Sequence, residues 1–340
     1  MRRFDELTPV EQLKRIEALA GNALAAYDLP ADARVARINY SENVTYRVDA
    51  PSSDRKWALR VHREGYHTRQ GIASELIWIK ALRDEAGVPT PIAVAGRDGE
   101  LIQTAITEGV PRRRHCVLFE WLPGDEPDEN ADLLRPFAEL GEVTARLHRH
   151  SKSWQVPDGF ERLTWDFARS LGDQPNWGDW RDGMDLDREQ ITLLERLATT
   201  IERRLDAFGK APSRFGVIHA DLRLANLLVD ENGTRVIDFD DSGYGWYMYD
   251  FATAVSFIEH RPDVPDLLAA WVGGYRKALD LPAADEAEIP TFVMMRRLLL
   301  VAWIGSHSAT DLAKEMGGPY TQGTCLLAED YLGRFGETRR

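Results

Sequence analysis

The sequence predicts an α+β fold in two lobes, a small antiparallel sheet followed by a larger, mainly helical part. Three observations predict it. Short period-two runs of β-formers cluster before residue 122, and apolar spacings of three and four dominate after it. One strand-like block, 217–239, interrupts the helical half with a polar loop between apolar runs. The expected boundaries are 1–121 for the N-terminal lobe and 122–340 for the C-terminal lobe, with a cleft between them.

The first helix is signalled by Thr8-Pro9-Val10-Glu11, where a Thr cap, a Pro at the first helical position and a Glu three residues after the Thr satisfy orphan amides; it should run to about Tyr27. The runs 34–39, 44–49 and 57–62, separated by turn-forming residues, read as an antiparallel meander. A helix follows over 68–85, with Ile72, Leu76, Ile79 and Leu82 on one face, and further strands are expected at 92–95, 101–105 and 116–121. Helices are then expected at 131–150, 187–208, 248–259, 265–279, 290–307 and 322–335. The segment 151–183, with Trp154, Trp165, Trp177 and Trp180 among polar residues, reads as a long irregular connection or a pair of short helices.

Composition narrows the function classes. The 340 residues are 44% hydrophobic, enough for a sizeable core, and carry a formal net charge of -13. That field repels nucleic acid and anionic membrane surfaces, and the run Arg112-Arg113-Arg114 is too short to reverse it. Two cysteines, Cys116 and Cys325, offer neither a disulfide framework nor zinc-ligand spacing, which fits a reducing cytoplasm. The polar first residues do not read as a signal peptide, and the densest apolar stretch, 298–305, is too short to cross a bilayer, so no membrane partner is expected. No G-x-G-x-x-G follows an early strand, which argues against dinucleotide chemistry.

The chemistry-bearing block is Val217-Ile218-His219-Ala220-Asp221-Leu222-Arg223-Leu224-Ala225-Asn226-Leu227-Leu228-Val229. Its order fits the kinase pattern H-R-D-L-x-x-x-N, with Asn226 five residues after Asp221. Twelve residues beyond Asn226, an apolar strand delivers Asp238-Phe239-Asp240 where a kinase carries D-F-G. Phosphoryl transfer needs a carboxylate to accept or orient the proton of the attacking hydroxyl, which suits Asp221, and hard oxygen ligands for the metal at the triphosphate, which suit Asn226 and Asp238. His219 would orient the loop. Either block alone could be an Asn/Asp-rich turn with a core histidine, but the two in order support each other.

These motifs resemble the aminoglycoside phosphotransferase and choline kinase superfamily, whose catalytic loop reads His, any residue, Asp, as His219-Ala220-Asp221 does here. The chain also looks similar to bacterial homoserine-kinase-II and stress-response kinase members. The resemblance covers nearly the whole chain and implies a protein-kinase-like bilobal fold, ATP and Mg²⁺ as cofactors, and a small-molecule hydroxyl as acceptor. It places Arg60 where kinases hold a nucleotide-contacting Lys, with Glu75 as its carboxylate partner. It puts a phosphate-covering hairpin at 41–46, which here lacks glycine, so that Ser41, Asn43 or Thr45 would replace part of the backbone cradle. The segment 119–122, with Glu120 and Leu122, resembles the hinge whose backbone bonds adenine, and Asp250 the aspartate that bonds back to the catalytic loop.

For the acceptor, Asp240 and Asp241 beside Tyr244 could receive a cationic amine by charge pairing and cation–π attraction; the alternative is that Asp240 serves a second metal and the aromatics pack the loop. In relatives the region of Trp303 helps to wall the acceptor pocket. Arg296 or Arg297 could meet a substrate carboxylate, or the pair could be an exposed helix face or form internal ion pairs. Two other functions compete: a Ser/Thr protein kinase of the bacterial stress-response type, and a nucleotide-binding pseudokinase. Only 12 residues separate Asp238 from Asp250, little room for a peptide platform, and the presence of Asp221, Asn226 and Asp238 argues against a degenerate site.

Overall fold

The computed structural model describes residues 3–40, 43–308 and 310–336. The chain forms two compact units, Met1–Ala81 with Thr90–Pro123 and Pro157–Glu161, and Leu82–Pro89 with Gly124–Val156 and Arg162–Arg340. The single division expected after residue 121 is thus replaced by an interleaved one. Local bonds explain it. Glu161 donates its amide to Ser74 Oγ at 2.9 Å and accepts from Thr68 at 2.7 Å, which ties 157–161 to the first unit, while Glu85 meets His150 Nε2 at 3.0 Å within the second.

In the first unit, α1 (Pro9–Ala23) opens with the capping box read from the sequence and buries Ile16, Leu19, Ala20 and Ala23. It stops short of Tyr27 because the chain tightens into a 3-10 turn at Leu24–Ala26. The sheet contains β1 (Arg34–Tyr40), β2 (Val44–Ala50), β3 (Arg55–Val61), β4 (Ala93–Val94), β5 (Gln103–Ala105) and β6 (Arg114–Glu120), with α2 (Arg69–Ala86) between β3 and β4. Strand order is β1-β2-β3-β6-β4, all antiparallel, and β5 also pairs with β6. Alternation aims Tyr46, Val48, Trp57 and Leu59 into one core with the apolar face of α1.

The second unit begins with α3 (Leu134–Ser153), followed by β7 (Leu163–Trp165), α4 (Phe167–Ser170) and α5 (Arg188–Phe208). Then come β8 (Phe215–Ile218), β9 (Leu227–Asp230), β10 (Gly233–Val236) and β11 (Gly243–Trp246). The chain closes with α6 (Tyr249–Ala254), α7 (Val264–Tyr275), α8 (Ala283–Glu286), α9 (Ile289–Ser306) and α10 (Asp311–Phe335). β9 and β10 form a hairpin, and β11 lies between β8, antiparallel, and β7, parallel. These two small sheets frame the loops 219–226 and 237–242.

Helix α6 is half the expected length, because the chain turns after Ala254 and Phe257 takes a φ of 73°. α10 starts earlier than expected but breaks at Gly317 (φ 45°, ψ -148°) just before Pro319, so only its later part is the helix read from periodicity. Of the tryptophans in 151–183, Trp165, Trp177 and Trp180 are buried and pin that connection down. The stretch Ala283–Ser306 is long and apolar enough to cross a bilayer, but 78% of its most apolar window is buried inside the protein, and α9 is a core helix.

Candidate active site

β8 delivers His219-Ala220-Asp221 and β10 delivers Asp238, so both loops start from strands whose pairing fixes their direction. Between them the backbone is strained: Ala220 and Asp238, neither of them glycine, sit at φ 66° and 61°. The strain at Ala220 is held by Asp250 at the start of α6. Its Oδ1 accepts from the Ala220 amide at 2.7 Å and its Oδ2 from the His219 amide at 3.2 Å. His148 of α3 donates from Nε2 to the same Oδ2 at 2.9 Å, and its Nδ1 faces the Tyr275 hydroxyl at 3.0 Å. Thr253 Oγ1 accepts from the Leu222 amide at 2.8 Å.

His219 is fully buried and points inward. Its Nδ1 accepts from the Asp221 amide at 3.2 Å, so the ring proton sits on Nε2, which donates to the Ile237 carbonyl at 3.2 Å. The ring also packs against Phe239. His219 therefore ties the loop bearing Asp221 to the residue before Asp238. Burial drives its pKa below the ordinary histidine value despite Asp250, Asp221 and Asp238 nearby, which keeps the ring neutral.

Both oxygens of Asp221 are held. Oδ2 accepts from Asn226 Nδ2 at 2.7 Å and Arg223 Nε at 3.3 Å, and Oδ1 accepts from Arg296 Nη2 at 2.6 Å. Burial would raise the carboxyl's pKa, but the Arg223 and Arg296 guanidiniums outweigh it and hold it below the usual range. Asn226 Nδ2 also donates to the Asp221 carbonyl at 2.8 Å, which leaves Asn226 Oδ1 as the atom to offer a cation. The Asn226 carbonyl accepts from the Ile237 amide at 2.9 Å, next to half-buried Asp238, and the two side chains could offer hard oxygen donors of the kind Mg²⁺ takes.

The loop after Asp238 is clamped by Arg162. Its Nε donates to the Ser242 carbonyl at 2.6 Å and its Nη2 to the carbonyls of Phe239, at 3.3 Å, and Asp240. Trp165 Nε1 donates to the Asp241 carbonyl at 2.7 Å. Asp240 and Asp241 are buried, with carboxylate oxygens within 4.8 Å of one another, and Tyr244 follows on β11, half-buried. On α9, Trp303 lies seven residues from Arg296, hence on the same helix face, and stacks on His307.

In the first unit, Arg60 of β3 and Glu75 of α2 form the expected buried pair, with Nη1 of Arg60 at 2.7 and 3.0 Å from the two Glu75 oxygens. Asn43 Oδ1 accepts from the Arg63 amide at 2.9 Å, so its side chain folds back onto the strand end. Glu120, at the end of β6, donates its amide to the Ile92 carbonyl at 2.9 Å, and Leu122 is half-buried two residues on. Ser41 lies outside the described residues.

Sequence reasoning did not assign Arg162, Arg223 or His148 to the site. Of the substrate contact, exposed face and internal pair open to Arg296 and Arg297, the structure shows internal pairs, Arg296 with Asp221 and Arg297 with Glu259, both at 2.6 Å. The available signal was an arginine pair inside an apolar helix, since guanidiniums buried there must be paired.

A family model described as "Phosphotransferase enzyme family" matches residues 34–287. The chain belongs to that family. A solved structure of the microcompartment-associated aminopropanol kinase is 46% identical, covers 94% of this chain and 98% of its own, and superposes with a TM-score of 0.86. Amicoumacin kinase of Bacillus subtilis (strain 168) is 23% identical over 315 residues, 89% of this chain and 88% of the relative. The structure of amicoumacin kinase hAmiN in complex with AMP-PNP, Ca²⁺ and Ami is 20% identical, covers 93% of each chain and has a TM-score of 0.71. This phosphotransferase is an ATP-dependent kinase that acts on a hydroxyl of a small molecule, and its two units carry the kinase-like sheet and helical architecture expected from the sequence.

Proposed function

We propose that the acceptor is a small amino alcohol of the aminopropanol type and that Asp221 receives its hydroxyl. The observation that carries the acceptor class is the buried pair Asp240 and Asp241, which concentrates two carboxylates in the loop directly after Asp238. A compact ammonium on the acceptor would be attracted there, with the Tyr244 ring alongside. The 46% identity to an aminopropanol kinase supports the same class.

In this reading Asp221, ionised by its arginine neighbours, accepts a hydrogen bond from the acceptor hydroxyl and takes the proton as the hydroxyl oxygen bonds to the γ-phosphorus of ATP and ADP departs. Asn226 and Asp238 would hold Mg²⁺, which supplies charge neutralisation of the phosphates. His219, Asp250 and His148 keep the loop in its strained form. Arg60, fixed by Glu75, offers a guanidinium to phosphate oxygens. Since the Glu120 amide is already spent on Ile92, an adenine edge would meet the Glu120 carbonyl and the Leu122 amide. On the phosphate-covering hairpin, Asn43 and Ser41 would take over part of the backbone's contact with the phosphates. Trp303 walls the acceptor side.

The test is Mg²⁺-dependent ADP release with amino alcohols, the matching alcohols without an amine, hydroxy amino acids and polyols, with Asp221→Asn as control. Turnover should require the amine and fall by about 10²- to 10⁴-fold in the control. Equal kcat/KM for amine-bearing and amine-free alcohols would refute the acceptor assignment.

A further inference from the structure

Adjacent arginines on α9 are both almost fully buried, and their partners differ in kind. Arg297 joins Glu259, the Tyr320 carbonyl and Thr324 Oγ1, and its guanidinium lies 3.5 Å from the Tyr320 ring centroid, so it fastens α10 and the chain after α6 onto α9. Arg296 instead reaches off the helix to one atom of the catalytic loop. Nη2 donates to Asp221 Oδ1 at 2.6 Å, Nε donates to Ser256 Oγ at 3.2 Å, and the guanidinium carbon sits 5.0 Å from the Trp177 ring centroid. A planar fork held by a hydroxyl on one edge and an indole at its side has little freedom left.

We propose that Arg296 is a positioning residue for phosphoryl transfer: it holds one carboxylate oxygen of Asp221 while Asn226 and Arg223 hold the other, so that the remaining lone pairs keep a single direction for the acceptor hydroxyl. The inference rests on Asp221 being the group that receives that hydroxyl. Donors on both oxygens restrict rotation about the Cβ–Cγ bond more tightly than donors on one oxygen alone. Orientation is what this chemistry asks of the residue, because a loose transition state draws the proton late and needs little basicity from Asp221. Misplacement of a reacting group by about 1 Å costs on the order of 100-fold.

The decisive measurement is steady-state kinetics on Arg296→Met and Arg296→Lys, each alone and combined with Asp221→Asn, with Arg297→Met as the neighbouring control. Arg296→Met should lower kcat roughly 100-fold while both KM values stay within about threefold. Arg296→Lys, which cannot span Ser256 and Asp221 together, should lose about tenfold. In the Asp221→Asn background both losses should shrink to less than about threefold, because the group being positioned has gone. Arg297→Met should lower the melting temperature with kcat within about threefold of wild type. The same full loss from an Arg296 substitution with and without Asp221 would overturn the proposal, as would a kcat for Arg296→Met within about threefold of wild type. If Arg296→Met does not fold, Arg296→Lys decides by the same comparison. Wild-type turnover in the same series is read first: failure with amino alcohols sinks the acceptor reading alone, and the Arg296 series is then run with whichever hydroxyl compound is accepted.

Discussion

Asp221 and Asp238 are both loop aspartates, but their surroundings differ, as the separate roles proposed for them require. Asp221 is surrounded by donors, Asn226, Arg223 and Arg296, while Asp238 is half-buried in a strained left-handed conformation. Asp221→Asn is therefore expected to lower kcat by about 10²- to 10⁴-fold with nucleotide affinity largely retained. Asp238→Asn should instead raise the Mg²⁺ concentration needed for half-maximal rate by at least about tenfold and be partly restored at high metal. A metal titration of both variants separates the roles; restoration of Asp221→Asn by metal would contradict them. Ala220 gives a second prediction at this scale. An L-residue in the left-handed region costs roughly 1–2 kcal/mol, so Ala220→Gly should leave stability unchanged or raise it by about 1 kcal/mol, whereas Ala220→Val should lower it by about 2 kcal/mol or more in urea unfolding.

The helical unit depends on how closely α3 and α7 approach, and two glycines set that approach. A Cβ on Gly141 would collide with the Trp271 carbonyl oxygen, and one on Gly274 with the Ala138 carbonyl oxygen, so each helix presents a glycine to the other's backbone. On an exposed helix, Gly→Ala would stabilise by about 1 kcal/mol. Here Gly141→Ala should destabilise by roughly 1–3 kcal/mol, read as a lower urea midpoint, because the obstacle is main chain and cannot rotate away. This contact also shows what the sequence could and could not disclose. The capping box at Thr8, the alternation in β2 and the order His219, Asp221, Asn226, Asp238 are local patterns with local causes, and all were readable. The three-residue β7, the clamp of Arg162 on the carbonyls of Phe239, Asp240 and Ser242 and the link of Arg296 to Asp221 join residues about 75 or more positions apart. Nothing in their neighbours' periodicity announces them. Helix α6 ends before its apolar pattern does, because apolar residues continue past Ala254 into a turn that is buried too, so burial there follows tertiary packing and not helical period.

The protein as a whole carries a net charge of -13, and its answer to acid depends on which groups change protonation on unfolding. His148 and His219 are fully buried, and desolvation pushes both below the ordinary value of 6.5; half-buried His115 is lowered by the same cause. A histidine whose folded pKa is depressed is neutral in the native state at pH values where the unfolded chain has already bound a proton. Its contribution is complete above the unfolded pKa of about 6.5 and is lost as pH falls from there through the folded value. Each such histidine steepens the loss by up to roughly 1.4 kcal/mol per pH unit, so stability should fall measurably between about pH 6.5 and 5, before most carboxylates titrate. Replacing His148 by Gln keeps a neutral donor for Asp250 and an acceptor for Tyr275 while removing the titrating ring. The variant should unfold more easily at pH 8, where packing alone is altered, yet show a shallower loss over that window by about one proton. Urea unfolding of wild type and variant at half-unit pH steps measures both quantities; parallel curves would mean that His148 binds its proton equally well folded and unfolded, against its burial between Asp250 and Tyr275.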